Sequence, residues 1–206
     1  MNLSVMLERV RYDLHDEDPA GRRWSDAELE RHIGHALRDL SLALPLQARA
    51  ALVASPGSRD LSLAALAGLV NVEAVEYPAG LYPPSYVPFS IWGSALTMLI
   101  DAAPAGDEPV NVYYGMMHSL DAVSSTIPGY LEEAVATGAS AYAALEWAGF
   151  AANRVNVGGE EVWRRYLTWG QAHLNAFSGA LAGLGRRSAL RVGRLYTPAG
   201  PDTRPG

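Results

Sequence analysis

Residues 24–45 read WSDAELERHIGHALRDLSLALP. Ser25 and Glu28 stand three apart, the spacing of a capping box. In that motif the hydroxyl accepts from the amide of the third helical residue and the glutamate returns to the cap's own amide. Trp24 just before the cap and Leu29 four residues into the helix are placed to form the hydrophobic staple that sets the entry angle. Leu29, Ile33, Ala36, Leu37, Leu40 and Leu44 recur at intervals of three and four, which lays one apolar stripe along a helix, and Pro45 stops it by removing an amide donor. Upstream, Leu3, Met6, Leu7, Val10 and Leu14 share the period, and the acidic loop 15–19 ends that first helix. Residues 46–53 are expected to form a further short helical turn before the breaker Ser55, Pro56, Gly57. Residues 1–58 thus read as a helical pair.

From Arg59 the period shortens to two. Leu61 and Leu63 alternate, Val70 and Val72 lead into Val75 and Tyr77, residues 94–100 follow a Pro-rich crossing at 82–88, and Val110, Val112 and Tyr114 make a last run. Four short strands joined by turns predict a small antiparallel β-meander over residues 59–123. Helical periodicity returns with Ser125 or Thr126 as cap and Pro128 in the first turn, starting a helix that reaches about Asn153. On it Ala134, Gly138, Ala141, Leu145, Ala148 and Ala152 form a narrow face of mostly small residues, which allows close approach by another helix. Asn156, Gly158 and Gly159 punctuate the chain before a last helix from Glu160 to about Leu184. That helix carries two adjoining apolar faces: Val162, Tyr166, Trp169, Phe177 and Leu184, and beside them Trp163, Leu167, Leu174 and Leu181. One face is expected to seal the core and the other to meet a neighbouring subunit, burial of both within one chain being the alternative. Residues 124–185 read as a long helix pair, and Gly185 is expected to end it. Residues 186–206 read as an extended basic tail, in which Arg186, Arg187, Arg191, Arg194 and Tyr196 either dock on an acidic partner or stay solvated. The fold class is α+β, with about four helices flanking a small antiparallel sheet.

Composition excludes whole classes of chemistry. With 206 residues, 49% of them hydrophobic and 18% charged, the chain is globular and long enough for one or two domains. It has no Cys and no Lys, which removes disulfides, thiolate zinc sites, cysteine nucleophiles, P-loop lysines and Schiff bases. Residues 1–59 hold 8 Arg against 9 acids, residues 60–153 no Arg against 10, and residues 154–206 8 Arg against 3, for net charges of −1, −10 and +5. Such asymmetry concerns surfaces and partners rather than fold. Glu8, Arg9 and Arg11 interrupt the region a signal peptide would need apolar, and Asp101 and Glu146 break the longest apolar runs short of a membrane span. The expectation is a cytoplasmic location and no membrane partner.

The candidate sites are few. Glu28, His32, His35 and Asp39 fall in one angular band of the second helix, a set of donors a metal-dependent hydrolase could use. A dimetal bundle needs matching Glu-x-x-His motifs on other helices, and none is present, so a solvated polar face is the stronger reading. The pairs Glu132, Glu133 and Glu160, Glu161 each open a helix, where acids complement the macrodipole, and this outweighs a role as acid and base for glycoside hydrolysis. His173 reads as a satisfied histidine among aromatic residues, and His118 as a loop residue with no carboxylate nearer than Asp121. Nucleophile-elbow, dinucleotide and zincin motifs are absent. A DNA-binding helical regulator remains an alternative, although a recognition helix over residues 25–44 would present Arg31 and Arg38 against Asp26, Glu28, Glu30 and Asp39. No catalytic, cofactor-binding or metal residue is assigned.

Arg23, Trp24, Ser25, Asp26, Glu28 and Leu29 near the start, followed by Ser125, Thr126, Ile127, Pro128 and then Gly138, Ala139, Ala141, Tyr142, Ala143, follow a recognisable order. In this the chain resembles the head-to-tail adaptor (connector) proteins of long-tailed bacteriophages, over most of its length. The resemblance implies a non-enzymatic neck component of the virion, assembled in the host cytoplasm: an antiparallel helical bundle with an inserted β-region, forming a ring, commonly of twelve subunits, beneath the portal protein. It further implies that DNA passes through the lumen, that the C-terminal segment reaches the portal, and that the opposite end receives the next neck or tail-completion protein. An Arg-free acidic middle is suited to line a channel through which DNA slides without sticking, or equally to face solvent.

Overall fold

The computed structural model describes residues 1–152 and 161–193. Their helices are α1 (Leu3–Leu14), α2 (Asp26–Ala43), α3 (Glu132–Ala152) and α4 (Val162–Gly193). Their strands are β1 (Leu46–Ala54), β2 (Asp60–Ser62), β3 (Leu69–Glu76), β4 (Phe89–Trp92), β5 (Ala95–Met98) and β6 (Glu108–Met116). The fold is α+β. The chain divides into a helical unit, Met1–Pro45 with Met117–Gly185, and a second unit built on Leu46–Met116.

In the helical unit the ends are set by local chemistry. Asn2 caps α1 by accepting from the Val5 amide at 3.1 Å, and His15 closes it in the left-handed region at φ 53°. At α2 both halves of the capping box are made: the Glu28 amide donates to Ser25 Oγ at 3.3 Å, and the Ser25 amide donates to Glu28 Oε2 at 2.7 Å. Trp24 and Leu29 are buried in the same apolar cluster, as the staple requires. Ahead of α3 the expected caps do other work. Ser125 Oγ accepts from the Ile127 amide and Thr126 Oγ1 from the Ser119 amide. Pro128 stays extended at ψ 139°, a 3₁₀ turn at Gly129–Leu131 intervenes, and α3 starts only at Glu132. Met6, Val10, Leu29, Ile33, Leu40, Val135 and Phe177 form the centre of the core.

The small face of α3 receives α4. A Cβ on Gly138 would lie 2.7 Å from the Phe177 ring, and one on Gly170 would lie 2.9 Å from Leu145 and 3.3 Å from the Ala141 carbonyl. The helices therefore approach so closely that two glycines are needed, one from each side. Helix α4 has 32 residues, ~48 Å at 1.5 Å per residue. It runs through Gly185, so Arg186, Arg187 and Arg191 lie on a helix and not on an extended tail. A glycine ends a helix when it enters the left-handed region. Gly185 is not among the glycines that do, and the Arg-Arg-Ser-Ala-Leu that follows favours helix. Asn156, Gly158, Gly159 and Glu160, and in the tail Arg194 and Tyr196, lie outside the described residues.

The second unit holds two three-stranded antiparallel sheets, ordered β1-β6-β3 and β2-β5-β4. The strands thus divide between two sheets instead of following one another in a single meander. Residues 46–53, expected to be a helical turn, lie in strand β1, which pairs with β6 from Leu46↔Met116 to Ala54↔Glu108. Along it burial alternates strictly: Leu46, Ala48, Ala50 and Leu52 face inward, and Gln47, Arg49, Ala51 and Val53 outward. A partner 62 residues on in the chain completes its ladder, which overrides the helix propensity of an Ala- and Leu-rich run. Strand β4 follows the Pro-rich crossing and pairs with β5 from Phe89↔Met98 to Trp92↔Ala95. Leu61, Leu63, Val75, Leu96, Met98, Val110 and Val112 make this unit's own core.

Candidate assembly surface

Helix α4 carries the side chains of interest. Its first face seals the helical core: Phe177 is buried against Gly138, and Tyr166 meets Trp147 at 4.6 Å and Trp24 edge-on at 6.0 Å between ring centroids. The Arg23 guanidinium lies 4.2 Å from the Trp147 ring centre and 5.1 Å from that of Tyr166, completing a cation–π stack. On the second face Trp163, Leu167, Leu174 and Leu181 are all half-buried. Trp163, Leu174 and Leu181 touch the edge of the helical core, so their apolar area is divided between that core and the outside. Arg164 pairs with Glu161 at 2.7 Å and lies over the Trp163 ring.

A groove opens where the C-terminal end of α1 faces α4. Its main cavity, about 630 Å³, is lined by Arg9, Tyr12, Asp13, His15, Glu133, Thr137, Trp169 and His173. A pocket of about 240 Å³ shares Asp13, His15 and Trp169 and continues to Leu14, Arg165 and Tyr166. Asp13 accepts from Ser140 Oγ at 3.2 Å. His173 donates from Nδ1 to the Trp169 carbonyl at 3.0 Å and stacks on the Trp169 ring at 3.8 Å, the satisfied state its neighbours predict. No single stretch of sequence contains this groove, because its lining comes from three helices.

The polar face of α2 is spoken for by other contacts. Glu28 is committed to the capping box, and the Ser25 hydrogen bonds hold its carboxyl below the ordinary value. His32 Nε2 meets Glu146 at 2.7 Å, and Arg31 also pairs with Glu146. Burial pushes the His32 imidazole down, outweighing the pull of Glu146 the other way. His35 stacks on Tyr142 at 4.0 Å. Asp39 accepts from the Tyr142 hydroxyl, whose pKa burial and that bond push up to about 12. Of the acid pairs, Glu132 takes the N-terminal ammonium at 3.3 Å and Glu133 lines the groove.

Two buried groups have roles that their sequence context did not announce. His118 is 7% exposed; its Nε2 faces the Leu44 carbonyl at 3.1 Å, its Nδ1 faces the Thr126 carbonyl at 3.1 Å, and its amide donates to Ser41 Oγ at 3.0 Å. It ties the end of α2 to the segment leading into α3. Arg11, 4% exposed, donates to Asp16 at 2.5 Å, to the Trp24 carbonyl at 3.1 Å and to Asp26, which holds the Asp26 carboxyl below its ordinary value. The signal for Arg11 was a basic residue next to the apolar stripe of α1, facing an acidic loop.

No family model matches the chain, and no curated protein matches it. Among solved structures it is similar to the neck of an empty GTA particle computed with C6 symmetry, at 16% identity over 82% of this chain and 88% of that chain, with a TM-score of 0.29. It is also similar to the neck of a native GTA particle computed with C12 symmetry, at 16% identity over 79% of this chain and 88% of that one, with a TM-score of 0.29.

Proposed function

We propose that this chain is a structural, non-enzymatic subunit of a phage-like neck: a head-to-tail adaptor that forms a ring of about twelve copies below the portal and extends the DNA channel toward the tail. The observation that carries the reading is the second face of α4. Trp163, Leu167, Leu174 and Leu181 lie along a single helix whose first face already seals the core; three of them also touch that core, and a neighbour would cover the apolar area that each still leaves outside. The residues behind the family resemblance support it from another side, since Trp24, Ser25, Glu28 and Leu29 build the start of α2 and Gly138 and Ala141 build the α3 face that seats α4. In this reading the copies pack side by side through α4 and cyclic closure makes the ring. Arg186, Arg187, Arg191, Arg194 and Tyr196 reach the portal, and the opposite end receives the next neck protein. The acidic residues of the Arg-free middle repel the passing DNA. The particle neck is then the protein's location, reached after assembly in the host cytoplasm.

Native mass spectrometry with negative-stain imaging of one purified sample tests this directly. The expected result is rings with a central hole. Trp163→Ala is expected to abolish them while the fold is kept; a monomer-only wild type that also fails to assemble on a portal ring sinks the reading. Deleting the residues after Gly185 is expected to abolish portal docking and spare the helical core, and unchanged docking would remove the portal role of that segment.

A further inference from the structure

We infer that the groove beside α1 is the seat for the arginine-bearing end of α4 from a second copy of this chain, with Asp13 and Glu133 receiving Arg186 and Arg187 and Trp169 supplying a stacking surface. The inference deepens the ring reading, rests on it, and takes Arg186 and Arg187 from the portal contact to the neighbouring copy, leaving Arg191, Arg194 and Tyr196 for the portal.

Charge complementarity is the first support. Helix α4 carries Arg164, Arg165, Arg186, Arg187 and Arg191 and no carboxylate over 32 residues. Arg186 and Arg187 are exposed, and neither makes an ion pair among the described residues. The groove offers the exposed carboxylates Asp13 and Glu133, and exposed Glu17 and Asp18 follow within three residues of His15. The lining of the main cavity holds two carboxylates, Asp13 and Glu133, against one arginine, Arg9, and Arg165 lines only the adjoining pocket.

Shape and chemistry are the second. A guanidinium is planar, binds carboxylates through two parallel N–H donors and stacks on aromatic faces. A cavity of about 630 Å³ with two carboxylates and the Trp169 and Tyr12 rings meets those three demands together.

Within one copy no ion pair joins either arginine to Asp13 or Glu133 among the described residues, so the arginines that fill the groove are assigned to a second copy. A groove on one copy and a helix end on the next make a heterologous contact, the type that closes into a ring.

The test uses two full-length charge-reversed chains, D13R/E133R and R186E/R187E, with self-association followed by sedimentation and native mass spectrometry. All four positions are exposed, and circular dichroism melts verify that each variant keeps its fold. Each variant alone is expected to associate at least tenfold more weakly than wild type. An equimolar mixture is expected to recover assembly, because every contact then joins opposite charges, and so is the chain carrying all four changes. Wild-type rings that survive both reversals overturn the groove contact and leave the ring reading standing. Association lost in both variants but not recovered by mixing also overturns the contact. R186E/R187E rings that form normally but lose duplex DNA binding assign the arginines to nucleic acid instead. A wild type with no self-association at any concentration overturns the groove contact, and overturns the ring reading as well when the chain also fails to assemble on a portal ring.

Discussion

Arg11 is a buried charge that ties the first two helices of the helical unit together. Its guanidinium joins the last turn of α1 to Asp16 in the loop and to the Trp24 carbonyl and Asp26 at the start of α2, while Asp16 also accepts from the Arg23 amide at 2.6 Å. Both Arg11 and Asp16 are buried, so removing one strands the other's charge in the interior. Arg11→Met is expected to cost about 3–5 kcal/mol in urea denaturation, and Arg11→Met with Asp16→Leu to recover part of that. In the sheet unit the comparable residue is Glu76, 3% exposed, which accepts from the Gly80 amide at 2.8 Å, Tyr113 Oη at 2.7 Å and Asn111 Nδ2 at 3.0 Å. The Gly80 bond first, then those from Tyr113 and Asn111, hold its carboxyl below the ordinary 4.5. A depressed carboxyl stabilises the fold above the unfolded value and loses that contribution as pH falls through the folded one. Glu76→Gln is therefore expected to cost about 1–3 kcal/mol at pH 7, with the gap from wild type closing as urea melts are moved below pH 4.5. Neither partnership is legible in sequence, since which acid meets which donor depends on contacts between elements.

At the scale of elements, the short-range signals and the long-range ones part company. The capping box of α2 was readable because its two partners are three residues apart, and Ser25→Ala is expected to cost about 1 kcal/mol by thermal melt. The small face of α3 was readable because 3.6-residue periodicity is a property of the helix itself. Its partner was not, and the structure supplies it: Phe177 packed into the space left by Gly138. Gly138→Ala places a methyl 2.7 Å from that ring and is expected to destabilise by about 1–3 kcal/mol, with Phe177→Leu in the same chain restoring most of the loss. Strand β1 is the opposite case. An Ala- and Leu-rich run suits either a helix or a strand, and only pairing with β6 makes it a strand.

For the molecule as a whole, the two faces of α4 predict two separable phenotypes. Phe177→Ala opens a cavity in the helical core and is expected to cost about 3–5 kcal/mol whatever the state of assembly. Leu167→Arg alters the second face and is expected to leave the melting transition nearly unchanged while weakening self-association by at least an order of magnitude. Sedimentation and calorimetry on the same preparations separate the two. A Leu167→Arg chain that assembles like wild type would remove that face from the interface.

Local rules account for the α+β class, the capping box of α2, the apolar stripes, the close approach of a partner to α3 and the uneven charge, because each depends on residues within a few positions of one another. The tertiary structure alone decided that residues 46–54 are a strand and that the strands form two sheets. It also decided that Arg11 and His118 are buried and that Asp13, Glu133 and Trp169 line one groove. Each of these joins groups far apart in the chain. Their free energy comes from burial and hydrogen bonds completed across that distance, and a reading of neighbouring residues contains no measure of it.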